Sequence, residues 1–272
     1  MVGALLVATC TAACGVVGAR SDAPGASGGG SDPGAAKSAA IRGAGDGRRD
    51  ARDEKGGPRV THTEPAPAAA FSAPGPAPLT TSRLTAASFT DGERIGAYTA
   101  SAYALGAPLG EGYTAEPVGC QPMVSLAKGA TPHAPVAEVN RGLVDADETY
   151  GVAVAVQLRT YAARGAAGVL GALRAAALSC ADGFTEDRGL VRARYLSVES
   201  ADAPDLGDEA VAYRFTILDV QGKAKLYEYL TVVRAGVSTL SFRAETTDSE
   251  DIGGVPDEIV QAQWEKFRAA AG

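Results

Sequence analysis

The clearest periodicity in the chain lies at residues 152–159. Val152, Val154, Val156 and Leu158 alternate with Ala153, Ala155, Gln157 and Arg159, which places one set on each face of a strand. Tyr213, Phe215 and Ile217 alternate in the same way within Ala210 to Asp219. Val220-Gln221-Gly222-Lys223 then turns the chain and Lys225 to Arg234 runs back. Ala235-Gly236 makes a second tight connection into Val237 to Glu245. Connections this short force antiparallel neighbours. Leu190 to Glu199, Ala137 to Val144 and Tyr98 to Leu105 complete the expected strands.

Between Gly165 and Ala181 the period changes. Val169, Leu173, Ala176 and Cys180 stand at i, i+4, i+7 and i+11, one face of a helix, with Gly183 just past its end. Cys120-Gln121-Pro122 opens a short helix through Ala127. Pro256-Asp257-Glu258 starts a final helix whose apolar stripe is Val260, Trp264, Phe267 and Ala271. Trp264 is expected to anchor it on the sheet. The element order predicts an α+β fold: an antiparallel sheet of about six to seven strands packed with two main helices.

Before about Thr80 the patterning disappears. Gly15 to Leu79 holds Gly, Ala, Ser, Pro, Asp and Arg with hardly a large apolar residue. Gly25 to Ser31 is flexible linker chemistry, and Pro74-Gly75-Pro76-Ala77-Pro78 is stiffer. Such a stretch buries too little apolar surface to offset its ordering entropy, so residues 14–79 are expected to be a long disordered tether. As a flexible coil it has a root-mean-square span of roughly 45 Å.

The extreme N-terminus is different again. Gly3 to Gly15 is a short apolar run that turns to small residues before a cysteine. It is too short to span a bilayer, which takes about 20 residues, but it suits the apolar region of an export signal. Thr11-Ala12-Ala13-Cys14 resembles a bacterial lipobox, in which the cysteine receives diacylglycerol and the signal is cut just before it. Cys14 fits better than Cys10, because Ala13 is a usual residue before the cut and Thr9 is less so. Met1-Val2-Gly3 lacks the expected positive charge, which points to a translation start upstream of Met1. The expected organisation is a lipoprotein signal over residues 1–13, a tether over 14–79 and a folded domain over 80–272.

Composition narrows the function. Aromatics are 6% of the chain, so the core rests mainly on Val, Leu, Ala and Tyr. The net charge is −7, with no Lys/Arg cluster in the folded part, which argues against a nucleic-acid partner. Cys120 and Cys180 are the cysteines left in the mature domain. Two cysteines in an exported domain are expected to form a disulfide, and neither stands in a CxxC pair.

The search for catalysis finds no site. Gly25-Ala26-Ser27-Gly28-Gly29 matches the letters of a nucleophile elbow but lies in the tether, without the strand-to-helix turn that motif requires. Gly43 to Gly47 has no flanking strand and is no dinucleotide fingerprint. Of the two histidines, His62 is in the tether and His133 sits in a loop between prolines, so a histidine-based triad would have to use His133. The acids of Asp145 to Glu148 and Asp248 to Asp251 lack the spacing of a calcium loop. No cofactor or metal is expected. Tyr195, Tyr213, Tyr227 and Tyr229 lie on predicted strands, either as core positions or as the lining of a cleft between sheet and helices.

Gly92 to Tyr98, Gly119-Cys120-Gln121-Pro122, the Cys180 helix and the tyrosine-rich meander resemble actinobacterial lipoproteins related to the PknH-like extracellular sensor domain. The resemblance covers about Thr80 to Gly272. It implies an antiparallel sheet with helices, a cleft for an unidentified ligand and an envelope location. The kinase versions carry two disulfides, a transmembrane helix and a kinase; this chain has one candidate disulfide and neither of the others. The expected function is a membrane-anchored, extracytoplasmic and non-enzymatic domain that binds a small envelope ligand or a protein partner. An accessory envelope protein without a pocket and an envelope hydrolase are the alternatives.

Overall fold

The computed structural model describes residues 77–145 and 151–271. The signal, Cys10, Cys14, nearly all of the tether and the acids at 146–148 lie outside the described residues.

The first described element is α1 (Thr81–Ala87), where the Thr80 hydroxyl caps the helix by accepting from the Arg83 amide. Strands β1 (Arg94–Ile95), β2 (Tyr98–Ser101) and β3 (Thr114–Glu116) follow, then α2 (Gln121–Val124). The long hairpin of β4 (Pro135–Asp145) and β5 (Val152–Tyr161) leads to α3 (Gly165–Ser179). The meander is β6 (Phe184–Asp187), β7 (Arg192–Ala201), β8 (Glu209–Leu218), β9 (Lys225–Ala235) and β10 (Ser238–Thr246), and α4 (Asp257–Ala271) ends the described chain.

All ten strands form one sheet, in the order β1-β2-β4-β5-β10-β9-β8-β7-β6-β3, with every neighbouring pair antiparallel. The fold is α+β, as the pattern predicts, but ten strands replace six to seven. The additional strands β1, β3 and β6 hold two, three and four residues, too few for a period to show. The last strand, β10, inserts at the centre between β5 and β9.

Helices cover both faces. On one, α2 and α3 pack on β7, β8 and β9 through Val169, Leu170, Leu173, Tyr213, Phe215, Leu230 and Val232. The Cys120–Cys180 disulfide joins the start of α2 to the end of α3. Gly183 follows at φ +97°, and a Cβ there would overlap the Tyr195 carbonyl oxygen, so only glycine fits. On the other face, α1 and α4 pack on β4, β5 and β10 through Leu84, Val156, Leu158, Leu240, Phe242, Ile259 and Phe267. Trp264 is not the main anchor expected of it. It stacks half-buried against Phe267 with ring centroids 6.2 Å apart, whereas Ile259, Val260, Gln263 and Phe267 are buried. The fully buried Gln263 fastens α4 to the end of α1: its Nε2 donates to Ala87 O at 2.6 Å, and its Oε1 accepts from Phe89 N at 3.3 Å.

Candidate functional site

Alternation puts two kinds of side chain on the α3 face. Over β7 and β8 they are apolar and lie under the helix. Over β4, β5 and β10 they are small or polar: Asn140 and Gly142, then Ala153, Ala155, Gln157 and Arg159, then Ser241, Arg243 and Glu245. This half of the face is crossed by a strap, residues 102–113, which holds one 3-10 turn at Leu109–Gly112 and no α-helix.

Buried polar contacts pin the strap. The Arg159 side chain is fully buried; its Nη2 reaches Glu111 Oε2 at 2.6 Å and its Nε reaches Glu138 Oε2 at 3.2 Å. Gln157 donates to Asn140 Oδ1 at 2.9 Å, and Asn140 in turn donates to Gly106 O at 3.0 Å. Gln121 holds the far end, donating to Tyr113 O and accepting from Ala115 N. An unpaired buried charge costs several kcal/mol, so Arg159 ties Glu111 on the strap firmly to the sheet.

Beneath the strap lies a cleft of about 370 Å³. Tyr103, Pro108, Leu109 and Tyr113 form its roof, and Gly142, Ala153 and Ala155 its floor. Gly142 makes room for the roof: a Cβ there would stand 3.2 Å from Tyr103 Cζ. Arg188, Arg243 and Glu245 close one end, where a recess of about 140 Å³ containing Glu228 adjoins.

These groups belong to one network. Arg243 Nη1 donates to Glu228 Oε2 at 3.2 Å, its Nη2 donates to Met123 O, and its guanidinium lies 5.4 Å from the Phe215 ring centroid. Arg188 pairs with Glu186 at 2.7 Å and with Glu228 at 3.5 Å, and lies over the Tyr113 ring. The Tyr195 hydroxyl is 3.0 Å from Glu228 Oε2 and 3.2 Å from Glu186 Oε2. Burial pushes the Glu228 carboxyl up to about 7, aided by the charge of Glu245 opposite it on β10. Burial, then Glu228 and Glu186, raises Tyr195 far above the ordinary phenol range. Burial, then Glu245 and Glu111, lifts Tyr103 to about 12. Burial opposes the Arg243 charge, but Glu228, Tyr195, Glu245 and Glu186 more than offset it.

The four tyrosines singled out in the sequence do not line one cleft. Tyr195 and Tyr213 face α3: Tyr195 stacks on Phe184 at 4.2 Å and sits beneath the carboxylates, while Tyr213 borders a groove of about 500 Å³ beside α3. Tyr227 and Tyr229 are on the opposite face. Tyr227 lies under Arg214. Tyr229 donates to Asp251 at 2.6 Å and, together with Tyr213, lines a cavity of about 660 Å³ between residues 201–204 and 252–257, so two of the four tyrosines share a cleft. Asp251 also pairs with Arg214, so part of the acidic stretch at 248–251 is tied down. His133 packs against Gly168 of α3, and its ring contacts no nucleophile or carboxylate by hydrogen bond among the described residues. Cys120 and Cys180 pair as expected.

Sequence reasoning passes over Glu186, Arg188, Glu228, Arg243 and Glu245. One signal was present. Glu228 shares a strand face with Leu230 and Val232, and a charge inside an apolar stripe calls for buried partners.

No protein-family model matches the chain, and no curated protein does either. Among solved structures, it is similar to the extracellular domain of PknH from Mycobacterium tuberculosis. The identity is 12% and the TM-score 0.48, over 72% of this chain and 98% of that one. It is also similar to an uncharacterized protein from Mycobacterium smegmatis, the Rv0999 ortholog, at 15% identity and a TM-score of 0.32, over 64% of this chain and 83% of that one. The structural neighbours thus include the protein whose extracellular domain the sequence resembles.

Proposed function

We propose that this chain is a lipid-anchored extracytoplasmic protein whose folded domain captures a small ligand in the strapped cleft and performs no chemistry on it. The supporting observation is the geometry of one cleft of metabolite size: Tyr103, Arg188 and Arg243 line it, and Glu228 and Tyr195 lie directly behind it in one buried hydrogen-bonded cluster. The hydroxyl that meets carboxylates here, Tyr195, is fully buried, and burial with Glu228 and Glu186 disfavours its ionisation, which argues against its use as a nucleophile. The disulfide supports an oxidising compartment. No described helix is long and apolar enough to cross a membrane. The reading puts the anchor on Cys14, where the lipobox-like Thr11-Ala12-Ala13-Cys14 stands, with residues 14–79 as the tether that lets the domain reach its ligand.

Native mass spectrometry of the protein released from its own envelope tests this reading. It should show diacylglycerol on Cys14, an oxidised Cys120–Cys180 pair and a bound small molecule that is lost when Ala155→Leu fills the cleft floor. An intact Met1 with unmodified Cys14 overturns the anchor. A retained molecule indifferent to Ala155→Leu, or none at all, overturns the cleft and favours an accessory envelope role.

A further inference from the structure

With every acid ionised, the charged groups at the closed end of the cleft do not balance. Three carboxylates, Glu186, Glu228 and Glu245, meet two guanidinium groups, Arg188 and Arg243. Both arginines are committed: Arg243 to Glu228 and the Met123 carbonyl, Arg188 to Glu186 and Glu228. Glu245 is exposed and makes none of these ion pairs. In register, it stands opposite Glu228 on β9 and Ala153 on β5. Like charges directly opposed across strands are destabilising, and the alanine leaves open space where a cationic side chain would relieve them.

The walls narrow the chemistry. An anion would find both guanidinium groups occupied and Glu245 repelling it. A neutral ligand would leave the Glu228–Glu245 opposition to be relieved only by a proton on Glu228. The Tyr103 ring lines the same cleft as Glu245, and aromatic faces attract cations. At the mouth, Leu109 and Val144 are 70% and 53% exposed, which suits an apolar body behind a charged head. A volume of about 370 Å³ fits a compact metabolite.

We propose that the cleft takes a small amphiphilic organic cation, with its ammonium head against the Glu245 carboxylate and the Tyr103 ring and its apolar body along Leu109 and Val144. This rests on the reading of the cleft as a ligand site. It carries a linked consequence. The groups facing Glu228 are Glu186 from β6, Tyr195 from β7, Glu245 and Arg243 from β10, and Arg188 from the loop after β6. A cation beside Glu245 offsets the charge that holds the Glu228 proton, so binding near neutral pH releases part of a proton.

A matched set of probes tests the idea on the full chain by calorimetry: phenethylamine, 2-phenylethanol and 3-phenylpropionate share an apolar body and differ in head group. Phenethylamine should bind tightest. Glu245→Gln should weaken it about tenfold while leaving the weaker 2-phenylethanol unchanged, which also shows that the variant is folded. In buffers of different ionisation enthalpy at pH 7, phenethylamine binding should release protons in the native protein. Tighter binding of 3-phenylpropionate, or phenethylamine binding indifferent to Glu245→Gln, overturns the cation while leaving a ligand cleft standing. If no probe binds and the protein from its own envelope holds no molecule, the cleft reading falls with it.

Discussion

Replacing Glu228 by glutamine asks whether the recess behind the cleft holds a proton at neutral pH. The buried Glu228 carboxyl is raised from an ordinary 4.5 to about 7. A raised carboxyl contributes its full stability below the unfolded value and loses it as pH climbs through the folded one. The native protein should therefore lose stability from this group between about pH 4.5 and 7. At about 1.4 kcal/mol per pH unit, the loss amounts to about 3 kcal/mol. Glutamine keeps the shape and a donor but cannot ionise. Glu228→Gln should match the parent chain at pH 4.5 and exceed it by up to about 3 kcal/mol at pH 8. Urea unfolding followed by the fluorescence of the single tryptophan, Trp264, measures both chains across that range. Parallel pH profiles would refute the reasoning, because the titrating group would then lie elsewhere. A variant less stable than its parent at pH 8 would also refute it, because ionised Glu228 would then be worth more to Arg243 than burial costs.

Other outcomes follow from contacts elsewhere in the fold. Removing the disulfide by Cys120→Ser with Cys180→Ser opens a loop with a sequence separation of 60. It should cost about 4 kcal/mol by loop-closure entropy, read as a lower urea midpoint than that of the oxidised protein. Gln263→Leu leaves the Ala87 carbonyl and the Phe89 amide without their buried partner, a loss of about 1–3 kcal/mol in the same assay. Arg159→Met strips the buried counter-charge from Glu111 and Glu138 and should cost about 3–5 kcal/mol. Limited proteolysis of that variant should cut first within 102–113, and cutting elsewhere would show that Arg159 does not hold the strap.

Much of the architecture is legible in the sequence because the long elements repeat their period several times. β5 alternates in sequence from Val152 to Arg159, and α3 returns to its buried face at Val169, Leu173 and Ala176. Periodicity sorts side chains by face, but it does not say what covers each face. Gln157 and Arg159 fall on the polar side of β5 and are nevertheless buried, because Asn140 on β4 accepts from Gln157 and the strap brings Glu111 to Arg159 from 48 residues away. The tyrosines show the second gap. Tyr213 and Tyr229 are both strand tyrosines, but the register pairs Tyr213 with Leu230, so Tyr229 points to the opposite face. A bulge between Tyr195 and Ser197 shifts the register again on the neighbouring strand. The carboxylate and arginine cluster depends on such registers together with the path of the strap, and no local pattern carries that information.

The central place of β10 has a consequence for how the molecule comes together. Until Ser238 to Thr246 arrives, the β4–β5 hairpin and the β6–β9 meander are separate sheets, each presenting an open hydrogen-bonding edge at β5 and at β9. Cys120 and Cys180 both precede this strand, so α2 and α3 can be joined while the two halves are still apart. The last strand then acts as a keystone: it closes both edges in one step and brings Arg243 and Glu245 into the cleft at the same moment. A chain that ends before it would lack the two end-wall residues and leave two adhesive edges in their place, so the strand that completes the sheet is also the strand that completes the site.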